Sequence, residues 1–108
     1  MKRAIGGVQV SIEANLGRPI HLNDLTARAA LSPYHFARAF KRSAGTTPRL
    51  FVEHRRIERA KRLLASSLRT LADIAADTGF NTQSRLTTTF RRRTGVTPAV
   101  YRRGQASS

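Results

Sequence analysis

Apolar residues recur every three or four positions along much of this chain, which is the spacing of an α-helix with one buried face. Val8, Ile12 and Leu16 follow this spacing and predict an opening helix over residues 7–16. A longer helix is predicted over residues 49–66. Its buried face is predicted to comprise four residues at near-heptad spacing, Leu50, Ile57, Ala60 and Leu64.

The second half of the chain repeats the first. Residues 45–51 (GTTPRLF) match residues 95–101 (GVTPAVY) at an offset of 50. Two upstream apolar positions match at the same offset, Phe36 with Leu86 and Phe40 with Phe90. Further upstream the matches continue at an offset of 49, so the second copy carries one additional residue. An ordered set of matches of this kind indicates a duplicated structural unit.

The first copy is predicted to form two helices joined by a turn, over residues 23–30 and 33–43. Ser32 is a good N-cap for the second of these helices because its hydroxyl can accept a hydrogen bond from a free backbone N–H. Gly45 follows the last turn and can end the helix in a left-handed conformation. The copy therefore predicts a helix-turn-helix.

The second copy contains the same signals. Thr70 begins a sequence that resembles a capping box, and Gly79 lies where the chain must turn. Either Asn81 or Thr82 is expected to cap the following helix, and Gly95 ends it. A last short helix is predicted after Pro98.

These elements add up to about seven helices and no convincing strand, so the predicted fold is all-α. The expected organisation is a first helix-turn-helix subdomain (1–48), a connecting helix (49–66) and a second subdomain (67–108) that ends in a short disordered tail. The connecting region is poor in Gly and Ser. A continuous helix there is expected to hold the two subdomains at a set distance, unlike a flexible tether.

The charge of the chain points to a polyanionic partner. There are 20 Lys and Arg residues against 6 Asp and Glu, a formal net charge of +14, and 17 of the 20 cations are arginine. Arginine is the side chain best suited to forked contacts with phosphate and guanine. A disordered basic tail would contain few apolar residues, whereas 40% of this chain is hydrophobic and periodic. Nucleic acid and an anionic membrane surface remain as candidate partners.

Other function classes find little support. The chain has no cysteine, and its three histidines, His21, His35 and His54, are too scattered to form a metal site. There is no Gly-rich phosphate loop. The sequence therefore predicts neither an enzyme nor a bound cofactor or metal. It contains no apolar run long enough to span a bilayer and no secretory signal, so a cytoplasmic location is expected.

The duplicated pattern resembles the DNA-binding domain of the AraC/XylS family of bacterial transcription regulators. The resemblance covers roughly residues 8–103 and is carried by the segments Leu31-Ser32-Pro33-Tyr34-His35-Phe36, Arg56-Ile57-Glu58-Arg59-Ala60-Lys61-Arg62-Leu63-Leu64, Asp73-Ile74-Ala75, Gly79-Phe80, Gln83-Ser84 and Gly95-Val96-Thr97-Pro98. It implies a homeodomain-like fold, double-stranded DNA as the partner, and activation or repression of transcription on the nucleoid.

Two residues depart from the family pattern. Arg85 stands where members often have His or an aromatic residue, which bears on the bases that are read. His21 stands where Ser or Thr commonly caps a helix, so Asn23 is the alternative cap. Family members usually carry a separate effector-binding or dimerisation domain. None is recognisable here, so the chain is expected to be a fragment or a short stand-alone member, monomeric in isolation.

In helix-turn-helix proteins the second helix enters the major groove and presents its outward face to base edges. Because Phe36, Phe40, Leu86 and Phe90 must face the core, the outward positions can be assigned. The candidate base-reading residues are Tyr34, Ala37 and Arg38 in the first copy, and Gln83, Ser84, Arg85, Thr87 and Thr88 in the second. The resemblance places Arg38 and Thr88 at equivalent positions, so the two copies are expected to read different half-elements.

Contacts to the DNA backbone are expected from cations at the ends of these helices. The candidates are Lys41, Arg42, Arg91, Arg92 and Arg93, which could equally be solvated charges that complement the helix dipole. A stripe of Arg55, Arg59 and Arg62 on the connecting helix is open to several interpretations. It could be a solvated face, pair with Glu53 or Glu58, or contact DNA or RNA polymerase.

Two alternatives to DNA binding remain at this stage. Charge alone does not separate DNA from RNA, although RNA modules usually display more aromatic residues than this chain contains. The basic connecting helix could pass for a membrane-surface peptide, but its apolar face is better explained as core. Successive major-groove faces recur about every 34 Å, so a monomer is expected to span about two helical turns of duplex.

Overall fold

The computed structural model describes residues 2–107, with side chains described from Ile5 to Gly104. Every regular element in that range is a helix, which confirms the all-α prediction. The seven helices are α1 (Lys2–Ala14), α2 (Leu22–Ala29), α3 (Pro33–Ala44), α4 (Pro48–Ser66), α5 (Leu71–Asp77), α6 (Gln83–Thr94) and α7 (Pro98–Ser107). They form two compact units, one up to Arg55 and one from Arg56 onward, so the boundary lies within α4.

The first unit is built around a core to which α1, α2, α3 and the start of α4 all contribute. Its fully buried residues include Ile12 of α1, Leu16 just after that helix, and two aromatic residues of α3, Phe36 and Phe40. The rings of Phe36 and Phe40 are 5.7 Å apart, and Phe51 meets Phe40 edge to face at 5.3 Å. Aromatic packing of this kind fixes the orientation of α3, because a rotation of the helix would expose both rings.

The second unit repeats this plan with a different set of side chains. Leu86 and Phe90 of α6 are fully buried against Ile74 of α5 and Ile57 of α4. Tyr101 of α7 packs edge to face on Phe90, with ring centroids 5.4 Å apart. In each unit, two buried apolar residues one turn apart therefore anchor the second helix of the helix-turn-helix, which is α3 in the first unit and α6 in the second.

The helix ends follow the local chemistry that the sequence predicts. The hydroxyl of Ser32 accepts a hydrogen bond from the backbone N–H of His35, and Thr82 does the same for Arg85. Thr82, and not Asn81, is therefore the N-cap of α6. Gly45 and Gly95 both end their helices with a positive φ, as expected for left-handed C-caps.

The turns between the paired helices differ between the two units. In the second unit Gly79 takes a φ of +85°, a left-handed conformation that glycine adopts without steric cost. In the first unit the equivalent position, 49 residues earlier, is Ala30, which takes a φ of +55°. Ala30 is the one non-glycine residue of the described chain with positive φ, so the first turn retains strain that the second avoids.

Several predicted details are wrong. Leu50 is 45% exposed, and Val52 takes the buried position at the start of α4, because this part of the helix packs on the core of the first unit. Helix α1 spans Lys2–Ala14, so it begins five residues earlier than expected. Helix α7 continues to Ser107, where the sequence suggests a disordered tail; Ser108 lies outside the described residues. His21 precedes α2 without a side-chain cap, and Asn23 lies inside the helix.

Candidate nucleic-acid interface

Helix α3 has one buried and one exposed face. Phe36 and Phe40 are 0% exposed, whereas Tyr34 on the opposite side is 64% exposed. Ala37 and Arg38 are also exposed. The three residues predicted to read bases in the first unit therefore share the solvent-facing side of one helix, and the buried phenylalanines hold that side outward.

The exposed face of α3 carries a connected set of side chains. Arg38 donates a hydrogen bond from Nη1 to the hydroxyl of Tyr34 at 3.0 Å, and its guanidinium carbon lies 5.6 Å from the centre of the Tyr34 ring. His35 meets the same ring edge to face at 5.6 Å. A ring nitrogen of His35, Nδ1, lies 2.7 Å from the hydroxyl of the N-cap Ser32. The contacts run without a break from the helix cap to Arg38.

Helix α6 presents a different surface on the same scaffold. Gln83, Ser84, Arg85 and Thr88 are exposed, as the sequence predicts. Thr87 is only half-buried, so it offers a smaller surface than the other four. The exposed face of α6 contains short hydroxyl and amide side chains and one arginine near its N-terminus, where α3 has a tyrosine–arginine pair.

Arg56 lies near Arg85, although the spacing along the chain does not mark it as a DNA-contact candidate. It lies on α4, half-buried, and this burial lowers the pKa of its guanidinium below the ordinary value. The positive charge of Arg85 lowers that pKa further. Two cations from different helices are thus close enough for their charges to interact. Their repulsion is the kind that a phosphate group relieves, and only the fold brings them together.

The five predicted backbone-contact residues all lie in the last turns of the two recognition-type helices. Lys41 and Arg42 are exposed in the last turn of α3, and Arg91, Arg92 and Arg93 are exposed in the last turn of α6. Cations at a helix C-terminus also complement the helix dipole, typically by about 0.3–1 kcal/mol. Their position fits both the electrostatic and the DNA-contact interpretation.

The arginine stripe of α4 is not a uniform surface. Arg55 donates two hydrogen bonds to the carboxylate of Glu13 on α1, at 2.8 and 3.0 Å. Glu58 accepts from Lys61 at 3.3 Å. Arg59 is half-buried, and Arg62 is exposed. Arg55 therefore serves the packing of the first unit, which separates it from the exposed end of the stripe.

From Ile5 to Gly104, no three His, Asp or Glu side chains lie together in a way that could hold a metal ion. None of the helices in residues 2–107 combines the length and apolar character needed to cross a bilayer.

Comparison with known proteins places this geometry in a family. A family model described as a helix-turn-helix domain matches residues 25–104. The HTH-type transcriptional regulator Rv1931c of Mycobacterium tuberculosis is 40% identical over 85 residues, which cover 79% of this chain and 33% of that protein. The right origin-binding protein of Escherichia coli is 32% identical over 85% of this chain and 32% of its own length. The chain thus spans about a third of these curated relatives.

Solved structures agree in fold over nearly the whole chain. The crystal structure of the DNA-binding domain of AdpA, in complex with a target DNA, superimposes with a TM-score of 0.91 at 29% identity, covering 95% of this chain and 93% of that one. A regulator with an AraC-type DNA-binding domain from Chromobacterium violaceum gives a TM-score of 0.87 at 25% identity, covering 96% and 93%. This chain belongs to the AraC/XylS family of helix-turn-helix transcription regulators, whose members are DNA-binding proteins and not enzymes.

Proposed function

We propose that this chain binds double-stranded DNA in a sequence-specific manner through α3 and α6, as the DNA-reading part of a transcription regulator in the bacterial cytoplasm. One observation carries the proposal: each of these helices is anchored by two fully buried apolar residues and turns a polar, exposed face to solvent. The DNA complex of the AdpA domain, which has the same fold at 29% identity, supports the same ligand for this chain.

The side chains on α3 suit a site that contains guanine. Arg38 can donate two parallel hydrogen bonds to O6 and N7 of guanine in the major groove. Tyr34 and Ala37 offer apolar surface to a thymine methyl group. The first unit is therefore proposed to depend on one guanine contact.

The side chains on α6 suit a different half-element. Gln83 can pair with N6 and N7 of adenine, and Ser84 can accept from or donate to several base edges. Thr87 and Thr88 can offer a methyl group to thymine or a hydroxyl to phosphate. Arg85 is proposed to contact guanine or, together with Arg56, a backbone phosphate. Each unit thus reads its own short sequence.

Affinity that does not depend on sequence is assigned to the cations in the last turns of α3 and α6, Lys41, Arg42, Arg91, Arg92 and Arg93. Binding that neutralises several phosphates releases counterions, so the affinity should fall steeply as salt rises. We assign the positive charge of the chain to DNA and not to RNA polymerase. Arg55 donates to Glu13, so the arginine stripe of α4 does not form one continuous basic surface that a protein partner could bind.

Selection of binding sites from a random duplex pool tests the proposal. The expected result is a motif with two separated blocks, bound by one chain per site as measured by mass photometry. A variant with residues 82–93 in scrambled order should lose one block. Full binding by that variant, or equal binding of RNA hairpins or anionic vesicles across a salt series, would contradict the proposal.

A further inference from the structure

On the exposed face of α3, Arg38 is held at two points by the residue one turn before it. Its Nη1 donates to the Tyr34 hydroxyl at 3.0 Å, and its guanidinium carbon lies 5.6 Å from the centre of the Tyr34 ring, within the range of a cation–π contact. An exposed arginine ordinarily samples many rotamers, and that freedom is lost when it binds. A restraint present before binding reduces this loss.

The Tyr34 ring also contacts a second side chain. The imidazole of His35 meets it edge to face, at 5.6 Å and an interplanar angle of 79°. His35 Nδ1 in turn lies 2.7 Å from the hydroxyl of Ser32, which caps the helix. A series of contacts through His35 and Tyr34 thus links the guanidinium of Arg38 to Ser32, the N-cap of α3.

This arrangement leaves Arg38 able to read a base. A guanidinium carries five N–H groups, and the contact with Tyr34 uses one on Nη1. The edge formed by Nε and Nη2 retains the two parallel N–H groups that guanine O6 and N7 require. The phenol therefore restrains the side chain without competing for the base-reading edge.

The second unit has no such pair. At an offset of 50, the positions equivalent to Tyr34 and Arg38 are Ser84 and Thr88, and both are exposed. Short side chains there need no restraint against loss of rotamer freedom. A long, flexible arginine does, and it is found next to an aromatic ring that contacts it.

We propose that Tyr34 is a positioning residue for Arg38: its hydroxyl and ring hold the guanidinium ready for guanine, so that the two residues act as one base-reading element. The inference rests on the proposed function, because it requires that Arg38 reads a base. It gives Tyr34 a role that is separate from any contact the ring makes with a thymine methyl group.

A double-mutant cycle tests this role. The variants are Tyr34→Phe, Arg38→Ala and their combination, with Tyr101→Phe as the control, because Tyr101 lies in the second unit and the two are the only tyrosines of the chain. The quantity to measure is the ratio of affinities for the selected site and for variants at the base pair that Arg38 reads. Tyr34→Phe should reduce this ratio about two- to tenfold, the fold-change that one hydrogen bond supports. It should have no further effect when Arg38 is already Ala, and Tyr101→Phe should change nothing.

Each contrary outcome has a distinct meaning. An unchanged ratio in Tyr34→Phe, with the ratio lost in Arg38→Ala, would overturn the positioning role and leave the proposed function intact. An equal loss with and without Arg38 would assign Tyr34 a direct DNA contact and overturn the inference. A higher ratio in Tyr34→Phe would mean that the hydroxyl withdraws Arg38 from the base, and it would overturn the inference. Unchanged base preference in Arg38→Ala would overturn both proposals.

Discussion

Arg55 on α4 donates two hydrogen bonds to the carboxylate of Glu13 on α1, from Nε at 2.8 Å and from Nη2 at 3.0 Å. The two residues are 42 positions apart in sequence, and 31% of the Arg55 side chain and 42% of the Glu13 side chain are exposed. The first and last helices of the first unit are thus joined by a paired, planar contact of the type that arginine forms best with a carboxylate. Arg55 therefore acts in folding, whereas the neighbouring arginines of α4 remain candidates for DNA.

This pair predicts a difference between two arginines of the same helix. Arg55→Gln should lower the free energy of unfolding by about 1 kcal/mol, a figure that allows for the solvent screening of a partly exposed pair. Arg62→Gln removes the same charge from an exposed position and should stay within about 0.5 kcal/mol of wild type. Urea denaturation followed by circular dichroism measures both, and equal effects would show that the Arg55 pair adds nothing to stability.

Arg38 and Arg42 are predicted to differ in the kind of DNA contact they make. Arg38→Ala should cost about 1–3 kcal/mol of binding free energy and relax the preference at one base pair. Arg42→Ala, on the same helix, should weaken all sequences alike and reduce the salt dependence. Competition gel shifts with permuted sites separate the two patterns. Uniform weakening by Arg38→Ala would reassign Arg38 to the backbone.

Thr82 is predicted to stabilise the first turn of α6, where Gln83 and Ser84 lie. Its hydroxyl accepts from the backbone N–H of Arg85 at 3.1 Å. Thr82→Ala should cost about 1 kcal/mol of stability by removing this cap and should weaken binding at the half-element of the second unit. Thr82→Ser keeps the hydroxyl and should restore both quantities. A serine variant as weak as the alanine variant would rule out the cap as the cause.

The two turns predict opposite effects of the same exchange. Ala30→Gly should raise the free energy of unfolding by about 0.5–1 kcal/mol, because glycine removes the left-handed strain at the cost of a more flexible unfolded chain. Gly79→Ala places a β-carbon at a φ of +85° and should lower it by about 1–2 kcal/mol. Thermal unfolding of the two variants against wild type checks the sign of each. A loss of stability in Ala30→Gly would show that the strain is small.

The elements of the fold follow closely from local sequence, because their signals lie within a few residues of one another. Ser32 and Gly45 mark the two ends of α3, and Thr70 caps α5. Leu50 shows where local reasoning fails. Its spacing from Ile57 suits a single stripe, but α4 contributes to two cores, and Val52 faces the first.

The exposed residues of the candidate interface could be predicted from the sequence, but the contacts between residues far apart in the chain could not. Exposure of Tyr34 and Arg38 follows from the burial of Phe36 and Phe40, since the four share one helix. Their contact at a separation of four residues is also local. The proximity of Arg56 to Arg85 and the pairing of Arg55 with Glu13 join residues far apart in the chain. Such contacts depend on tertiary packing, which spacing along one helix does not reveal.

The division between buried and exposed positions on α3 and α6 bears on how such a domain evolves. Phe36 and Phe40 in the first copy and their counterparts Leu86 and Phe90 in the second are all fully buried, while every position predicted to read a base carries a different residue in the two copies. Selection can act on the outward residues without disturbing the core that folds the helix. A new operator preference is therefore reachable by substitutions that carry little stability cost, and each copy can drift toward its own target independently of the other.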